Sequence, residues 1–560
     1  MDSLPQELID LISSYLDIED LKNTLTVSQA FQVAAEKYSG AYDHFELNED
    51  NKSDFIEIFG GRRLGYLQHL SFRTTLPPLD DEVDLDEQPD GAPIRDTLED
   101  LREVDESFTE QVKSLFSTIK SAEDRANTGS GRIKLTIYTP TRYIDHENYS
   151  IQRAYVSWRV HLLSPKALPS LASVRGLRIE NGMEWYYYDE WDANSLRKLD
   201  LRVIADLSLK LPNLEALHCG IGGDEWLAGN VDPRQRYVTK DWAGPRRDSR
   251  HSFAQAIEEH PISKLRVARL NFIAPLSLAH NFDQLEAFPN LIAPAKYDLF
   301  SSNLRLLSYQ LRKLSLTAIL DYTFFWPIDG ATPSWPNLEV LNVTFHIMTP
   351  SGEWYFNPLK HGSKSGYAIT EADYPPYEET DPDRDDVDYI DWANIIRGQN
   401  RVVPNNDTLV PLLQSFAKAA AYMPRLKQAL LWAPLQLSGA DGLNLSSLTK
   451  HAKSAKSCDP LAWGLVYSSS DAEGFMDGRG HRVESSRQIW WQVANWRPDP
   501  ALHSMIKEIG KDRHGENLLE YWHEYWEDDR NSTSIAGRYE LERFEEQLFE
   551  DDWPPAEPLS

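Results

Sequence analysis

The chain is 560 residues long, and its 87 Asp and Glu against 57 Lys and Arg leave a formal net charge of −30. Such a surface repels a phosphate backbone instead of releasing its counterions, which excludes nucleic acid as a partner. Its 41% hydrophobic residues suffice for a large core, and the two cysteines, Cys219 and Cys458, lie too far apart for a disulfide framework or a zinc site, which predicts a reduced cytosolic or nuclear setting.

Leu4 to Phe31 reads as three short helices in close succession. Ser3 with Gln6 three residues later predicts a capping box at the first, where Pro5 is tolerated in the opening turn. Leu4, Leu8, Leu11, Ile12 and Tyr15 recur at helical spacing, and Ile9 and Leu16 widen the stripe, which predicts two apolar surfaces, one inward and one outward. Asp17 with Asp20 predicts a second start, carrying Ile18, Leu21 and Leu25. Ser28 opens a third helix, with Phe31, Ala34, Ala35 and Tyr38 in phase. Asp10, Asp17, Glu19 and Asp20 interrupt any apolar leader, and no run is long enough to span a bilayer, so a soluble intracellular protein without a membrane partner is expected. The Asn-x-Ser/Thr triplets at Asn148, Asn342 and Asn531 are then coincidences of composition.

The opening Leu4-Pro5, then Leu8, Ile12 and Leu16, then Leu21, then Val27-Ser28 and Phe31 follow the order and approximate spacing of an F-box, and residues 1–40 resemble one. Gln32-Val33 stand where many members carry a basic residue and Trp. The resemblance implies a three-helix module that docks on the Skp1 subunit of a cullin-based ubiquitin ligase, while the rest of the chain captures a target protein. It also implies that Leu4, Pro5, Leu8, Ile12, Leu16 and Leu21 form the Skp1-binding set.

Beyond the module, Tyr42 to Leu47 reads as a strand and Ser53 to Phe59 as a helix. A phrase with apolar residues at i, i+3 and i+5 then begins at Leu67-Leu70-Phe72. It returns at Val174-Leu177-Ile179, Leu196-Leu199-Leu201, Leu214-Leu217-Cys219, Leu265-Ala268-Leu270, Leu311-Leu314-Leu316 and Leu338-Leu341-Val343, and more loosely at Leu426-Ala429-Leu431. This is the strand signature of a leucine-rich repeat, in which a turn and a short strand point alternate residues inward and no unit closes a core until neighbours stack on it. Leu211-Pro212-Asn213-Leu214 and Trp335-Pro336-Asn337-Leu338 put a turn directly before two of the strands. The unequal intervals predict a degenerate, insertion-laden solenoid.

Helices are expected at Leu98 to Ile119, Ser252 to His260 and Leu409 to Met423, and interrupting strands at Ile133 to Tyr138 and Tyr155 to Leu163. Leu79 to Asp90 and Glu371 to Asp391 are acidic, Pro-bearing insertions that read as solvated loops, the second also as a surface for a basic peptide. Asp381, Asp383 and Asp385 have the alternation of a calcium loop, but Asp386 stands where the turn glycine belongs and no closing glutamate follows. Toward the end, Leu461 to Ser468 and Arg487 to Trp496 read as strands. Leu502 to Ile509, Leu518 to Trp526 and Arg538 to Phe549 read as helices that cap the open end of the repeats or, through their Trp and Tyr, frame a target pocket.

Trp185 to Tyr188 and Trp191 beside Glu184, Asp189 and Glu190 suggest a rival, an intracellular carbohydrate-active enzyme with carboxylates at hand. No GxSxG, HExxH or phosphate loop accompanies them, and Gly220, Gly222 and Gly223 lack the Lys and Ser/Thr of a nucleotide loop. The fold expected is α+β or α/β: an F-box over 1–40, a leucine-rich-repeat-like body over 41–445 with acidic loops near 77–97 and 360–405, and a Trp-rich strand and helix cap over 446–560. The function expected is that of a non-enzymatic adaptor, without cofactor, whose partners are Skp1, a cullin through it, and an unknown target. A Skp1 complex that does not lead to degradation is the alternative.

Overall fold

The computed structural model describes residues 4–77, 98–127, 131–141, 159–180, 199–221, 236–273, 284, 288, 290–358, 401–436, 460–472, 486–493, 496–523 and 538–549. Three helices open it, α1 (Gln6–Ser13), α2 (Ile18–Thr24) and α3 (Gln29–Tyr38). Asp17 and Ser28 cap α2 and α3 as expected, accepting from the backbone N–H of Asp20 and of Phe31. The start of α1 differs. Pro5 takes the N-cap position and no side chain caps it, because Gln6 instead donates to the Asp10 carboxylate and to the Ala30 carbonyl, tying α1 to α3; Ser3 lies outside the described residues.

Strands and helices then alternate: β1 (His44–Leu47), α4 (Lys52–Phe59), β2 (His69–Thr75), α5 (Leu98–Ala126), β3 (Ile133–Thr141), β4 (Val174–Glu180), α6 (Arg202–Ser208), β5 (Ala216–Gly220), α7 (Arg236–Glu259), β6 (Val267–Asn271), α8 (Leu299–Ser308), β7 (Lys313–Ala318) and β8 (Val340–Phe345). A short antiparallel ribbon follows, β9 (Phe356–Pro358) with β10 (Arg401–Pro404). The chain continues through α9 (Asn406–Ala420), β11 (Gln428–Gln436), β12 (Pro460–Ser468), β13 (Arg487–Gln492), α10 (Pro500–Lys507), α11 (Lys511–His514), β14 (Leu518–His523) and α12 (Arg538–Phe549).

Among the described residues, twelve strands form one sheet in chain order, β1 through β8 and then β11 through β14. From β1 to β11 every pair is parallel, each joined by a crossover connection, with an α-helix among the described residues of all but the β3–β4 and β7–β8 connections. β12 and β13 run antiparallel to their predecessors, and β14 is parallel to β13. The repeated phrase supplies the core face. Leu70, Leu135, Leu177, Leu217, Ala268, Leu314, Leu341 and Ala429 stand in register across eight strands, and the residues two further on repeat the ladder from Phe72 to Leu431. All are buried in one continuous apolar core. Helices α5 and α9 lay Phe108, Val112, Leu115, Leu412 and Phe416 into that core, and Phe253, Phe272 and Phe300 form an aromatic trio where α7, β6 and α8 meet.

Four expectations are corrected. Of the Leu196-Leu199-Leu201 phrase, Leu196 lies outside the described residues, and Leu199 and Leu201 form no rung of the sheet: Leu199 makes an isolated bridge to Val160, and the chain turns into α6 at Arg202. The described end of the strand expected at Tyr155 to Leu163 gives its backbone N–H groups to α5 instead, His161 to the Asp105 carboxylate at 2.8 Å and Leu163 to the Thr109 hydroxyl at 3.0 Å. Arg401–Pro404, placed at the end of an acidic loop, is a strand held by the buried Arg401 guanidinium, which donates to the Gln284 and Phe356 carbonyls and lies over Trp354. Leu518 to His523, expected as helix, is β14: Trp522 stacks on Trp491 at 4.7 Å and Tyr521 on Trp490 at 4.1 Å, cross-strand pairs that a helix could not make.

A buried charge cluster pins α7 to α8. Arg250 donates to Asp298 at 2.8 Å and to the Ile319 carbonyl, Asp298 caps α8 through Ser301, and Asp321 accepts from the backbone N–H of Thr323. Burial, reinforced by the charge of Asp298, raises the Asp321 carboxyl to about 7. Its folded value lies above its unfolded one, so the native state holds the extra proton and stability is lost as the pH rises through 7. Asp321→Asn keeps the acceptor for Thr323 and removes the charge. Urea midpoints at about pH 5 and pH 8 should show the variant gaining on the wild type by on the order of 2 kcal/mol across that interval. A constant difference at both values would refute the assignment.

Candidate functional site

The three N-terminal helices bury little of their own apolar surface. Their private core is Ile9, Phe31 and Ala34, with Ala30 packed against it. On α1 only Ile9 and Ser13 are buried, so the stripe Leu4, Leu8, Leu11, Ile12 and Tyr15 points into solvent, with Leu8 46% and Tyr15 83% exposed. Ile18, Leu25 and Val27 extend the same exposure beyond α1. Nine of the fifteen large exposed hydrophobic residues among those described fall within the first 38 positions, a contiguous density unlike singly scattered surface residues.

Five of the six residues assigned to docking lie at this surface: Leu4, Pro5, Leu8 and Ile12 are exposed and Leu16 is half-buried. Leu21 does not belong with them. It is 2% exposed on α2, which packs against α3, and so belongs to the interior of the module. Leu11, Tyr15 and Ile18, which the resemblance does not assign to docking, are exposed on the same face, the first two in the helical phase of Leu4 and Leu8. The outward face is the wider stripe, and Ile9, buried on the other side of α1, marks the inward one of the two apolar surfaces expected.

Ion pairs fix the module to the sheet. Glu36 on α3 is nearly buried and takes Arg62 at 2.7 Å and Arg63 at 2.6 Å, both from the turn that leads into β2. The Arg63 hydrogen bond holds its carboxyl below the usual glutamate range against the opposing effect of burial, and Arg62 adds to this. Arg63 also lies over the Tyr42 ring at 4.6 Å. Within the module Lys37 pairs with Asp10 at 2.7 Å. Burial disfavours the charge on Asp10, yet the hydrogen bonds from Lys37 and Gln6 keep its carboxyl below its ordinary value.

The second face of the sheet, opposite the core, carries the residues between the ladder positions. Ser71, Thr136, Arg178, His218, Arg269, Ser315 and Asn342 lie side by side from β2 to β8, and the row then turns apolar with Leu430, Val466, Trp490 and Tyr521. Burial drives the His218 imidazole well below its ordinary value, so the neutral ring accepts from Arg178 at 3.2 Å, and Glu180 sits 3.4 Å from the same guanidinium. Helix α12 covers the apolar end of this row. Asn342, one of the Asn-x-Ser/Thr positions, is buried there and donates to Ser315.

Among the described residues no group of three or more His, Cys, Asp or Glu is arranged to hold a metal ion, and no helix is long and apolar enough to cross a membrane. Cys219 is buried on β5, its thiol pushed up to about 12 by burial. A cleft of about 450 Å³ along α7 and α8 is lined by Asp248, His251, Ser252, Gln255, Glu258 and Asn303. The aromatic and acidic cluster from Glu184 to Trp191, Cys458, the glycines at 222 and 223, the triplets at Asn148 and Asn531, the acidic stretches Leu79 to Asp90 and Glu371 to Asp391, and with the latter Asp381, Asp383 and Asp385, lie outside the described residues. Compared with protein-family models and with curated proteins, the chain matches none.

Glu36→Ala removes the acceptor for two arginines and should loosen α1 to α3 from the sheet by about 1–3 kcal/mol, leaving the strands unaffected. Hydrogen exchange should quicken at residues 6–38 alone. Because the Glu36 carboxyl is held low, its contribution is present above the ordinary glutamate range and is lost as the pH falls below it, so wild type and variant should converge in acid. Equal exchange rates at neutral pH would show that the ion pairs do not hold the module.

Proposed function

We propose that the chain is a substrate-recognition adaptor of an SCF-type cullin ubiquitin ligase, with residues 4–38 acting as an F-box that docks on Skp1 and the remainder capturing a target. The observation that carries this reading is the exposed apolar face of Leu4, Leu8, Leu11, Ile12 and Tyr15 on a module whose own core is small. A surface of that composition is unfavourable in water and is accounted for by a partner that covers it. The two capped starts at Asp17 and Ser28 fit the order of the F-box resemblance, and the parallel strands laid down in chain order, with one leucine-rich phrase in register, fit a leucine-rich-repeat-like solenoid.

In this role the chain performs no chemistry. It works by proximity: Skp1 and, through it, a cullin hold the charged ubiquitin carrier, and a target bound elsewhere on the chain experiences a raised effective concentration of that carrier. Cytosol and nucleus are the compartments where that machinery operates.

The test is calorimetric titration of the purified full-length chain with recombinant Skp1. Leu8→Ala with Ile12→Ala removes two exposed side chains from the centre of the face and should weaken binding at least 30-fold with little change in melting temperature. Leu21→Ala should act in the opposite way, lowering the stability of the module by about 2–4 kcal/mol through a buried cavity. A wild-type chain that gives no heat with Skp1, or a double variant that binds as tightly as wild type, would overturn the proposal.

A further inference from the structure

Helix α12 rests on the second face of the sheet with a small contact. Leu541 and Phe544 are buried, and Leu548 is partly buried, against Leu430, Trp432, Val466 and Trp490, in a cluster separate from the main core. Beside these, Glu545 is nearly buried: it accepts from the Ser315 hydroxyl and lies 3.5 Å from Arg269. Lys313 donates to the Leu548 carbonyl at 2.9 Å, near the end of the helix where a cation is favoured. The surface thus reads four features of a helix: an apolar side chain at one position, another three on, a carboxylate four on and an apolar side chain seven on, with a lysine at the helix end.

A helix serving only to cover Trp490 and Val466 has no need of a carboxylate in its contact. Burying one is costly, and burial pushes the Glu545 carboxyl above its ordinary range while Arg269, Ser315 and Asn342 act to keep it ionised. Such a group selects what binds more than it strengthens binding. Compared with α9, which buries Leu409, Leu412, Leu413 and Phe416 in the main core, α12 is lightly held. The cations that meet it, Arg269 and Lys313, are complementary to a carboxylate within the contact and to the C-terminal end of a helix, the charge pattern that α12 presents.

We propose that the surface beneath α12 is a docking site for an acidic amphipathic helix of a partner protein bearing the spacing of Leu541, Phe544, Glu545 and Leu548, and that α12 is the built-in competitor that occupies it. The partner's identity as a ligase target rests on the adaptor function proposed above; the binding itself does not. Residues 524–537 join α12 to β14, so the internal helix competes at the high effective concentration of a tethered ligand, and a partner gains access only by outbinding it.

The experiment uses the full-length chain and a fluorescently labelled peptide of residues 538–549, read by anisotropy. The wild-type chain, occupied internally, should bind the peptide weakly. Two variants release α12 by different routes, Leu541→Ala with Phe544→Ala, and Glu545→Arg, and each should bind at least 10-fold more tightly. Adding Arg269→Glu to the first should abolish that gain, and a peptide carrying Glu545→Arg should recover it. Peptide binding no tighter in either released variant than in wild type, with circular dichroism and melting curves showing folded chains, would overturn the proposal; so would binding indifferent to Arg269. No Skp1 enters this assay, so a failure here and a failure of the adaptor function are read separately.

Discussion

The structure depends on the in-register burial of one residue ladder. A parallel strand satisfies its backbone only between two neighbours, and its inward residues leave water only when the same positions on both sides are apolar. From Leu70 to Ala429 and from Phe72 to Leu431 that condition holds on eight successive strands, and the helices between them have only to close the far side. Irregular intervals between phrases are tolerated because extra residues enter the crossovers and leave the ladder untouched. The phrase at Leu199 and Leu201 shows the limit: both are buried as a repeat would have them, yet the chain turns into α6 at Arg202, directly after them.

The ends of the ladder are handled by different chemistry. At the C-terminal end the strands reverse direction at β12, aromatic pairs between β13 and β14 replace leucines, and α12 covers the apolar stretch of the outer face. At the N-terminal end β1 pairs with β2, and the three preceding helices are joined to the turn before β2 through the Glu36 ion pairs and not by a shared core. An ionic joint orients a module without absorbing its apolar surface, and the face of α1 stays exposed.

Much of this was legible in the sequence, and the misses have physical causes. The phrase itself, Pro-Asn openings and helical stripes located seven of the parallel strands and the long helices, since periodicity survives any context. Caps at Asp17 and Ser28 were readable because a short side chain reaches its own backbone. Leu518 to His523 was misread because its leucines and aromatics fit helical and strand spacing equally, and only the facing Trp490 and Trp491 decide the matter. Leu21 was assigned to the docking face because a resemblance in spacing does not say which side of a short helix faces inward. The pairing of Glu36 with Arg62 and Arg63 joins residues 26 and 27 positions apart, and no local pattern announces it.

The two surfaces proposed here differ in a way that bears on how a target would be exchanged. The α1 face is apolar and uncovered, so its free energy of burial is available to any partner of matching shape. The surface under α12 is already filled, with a carboxylate that must be matched by Arg269 and Ser315, so a second helix gains only the difference between its own contacts and those it displaces. A scaffold that holds one partner through an open apolar face and admits another only by competition keeps the first attached while the second turns over. In the adaptor proposed above, that asymmetry would let the link to the ligase persist while selectivity is concentrated where a buried charge tests each incoming helix.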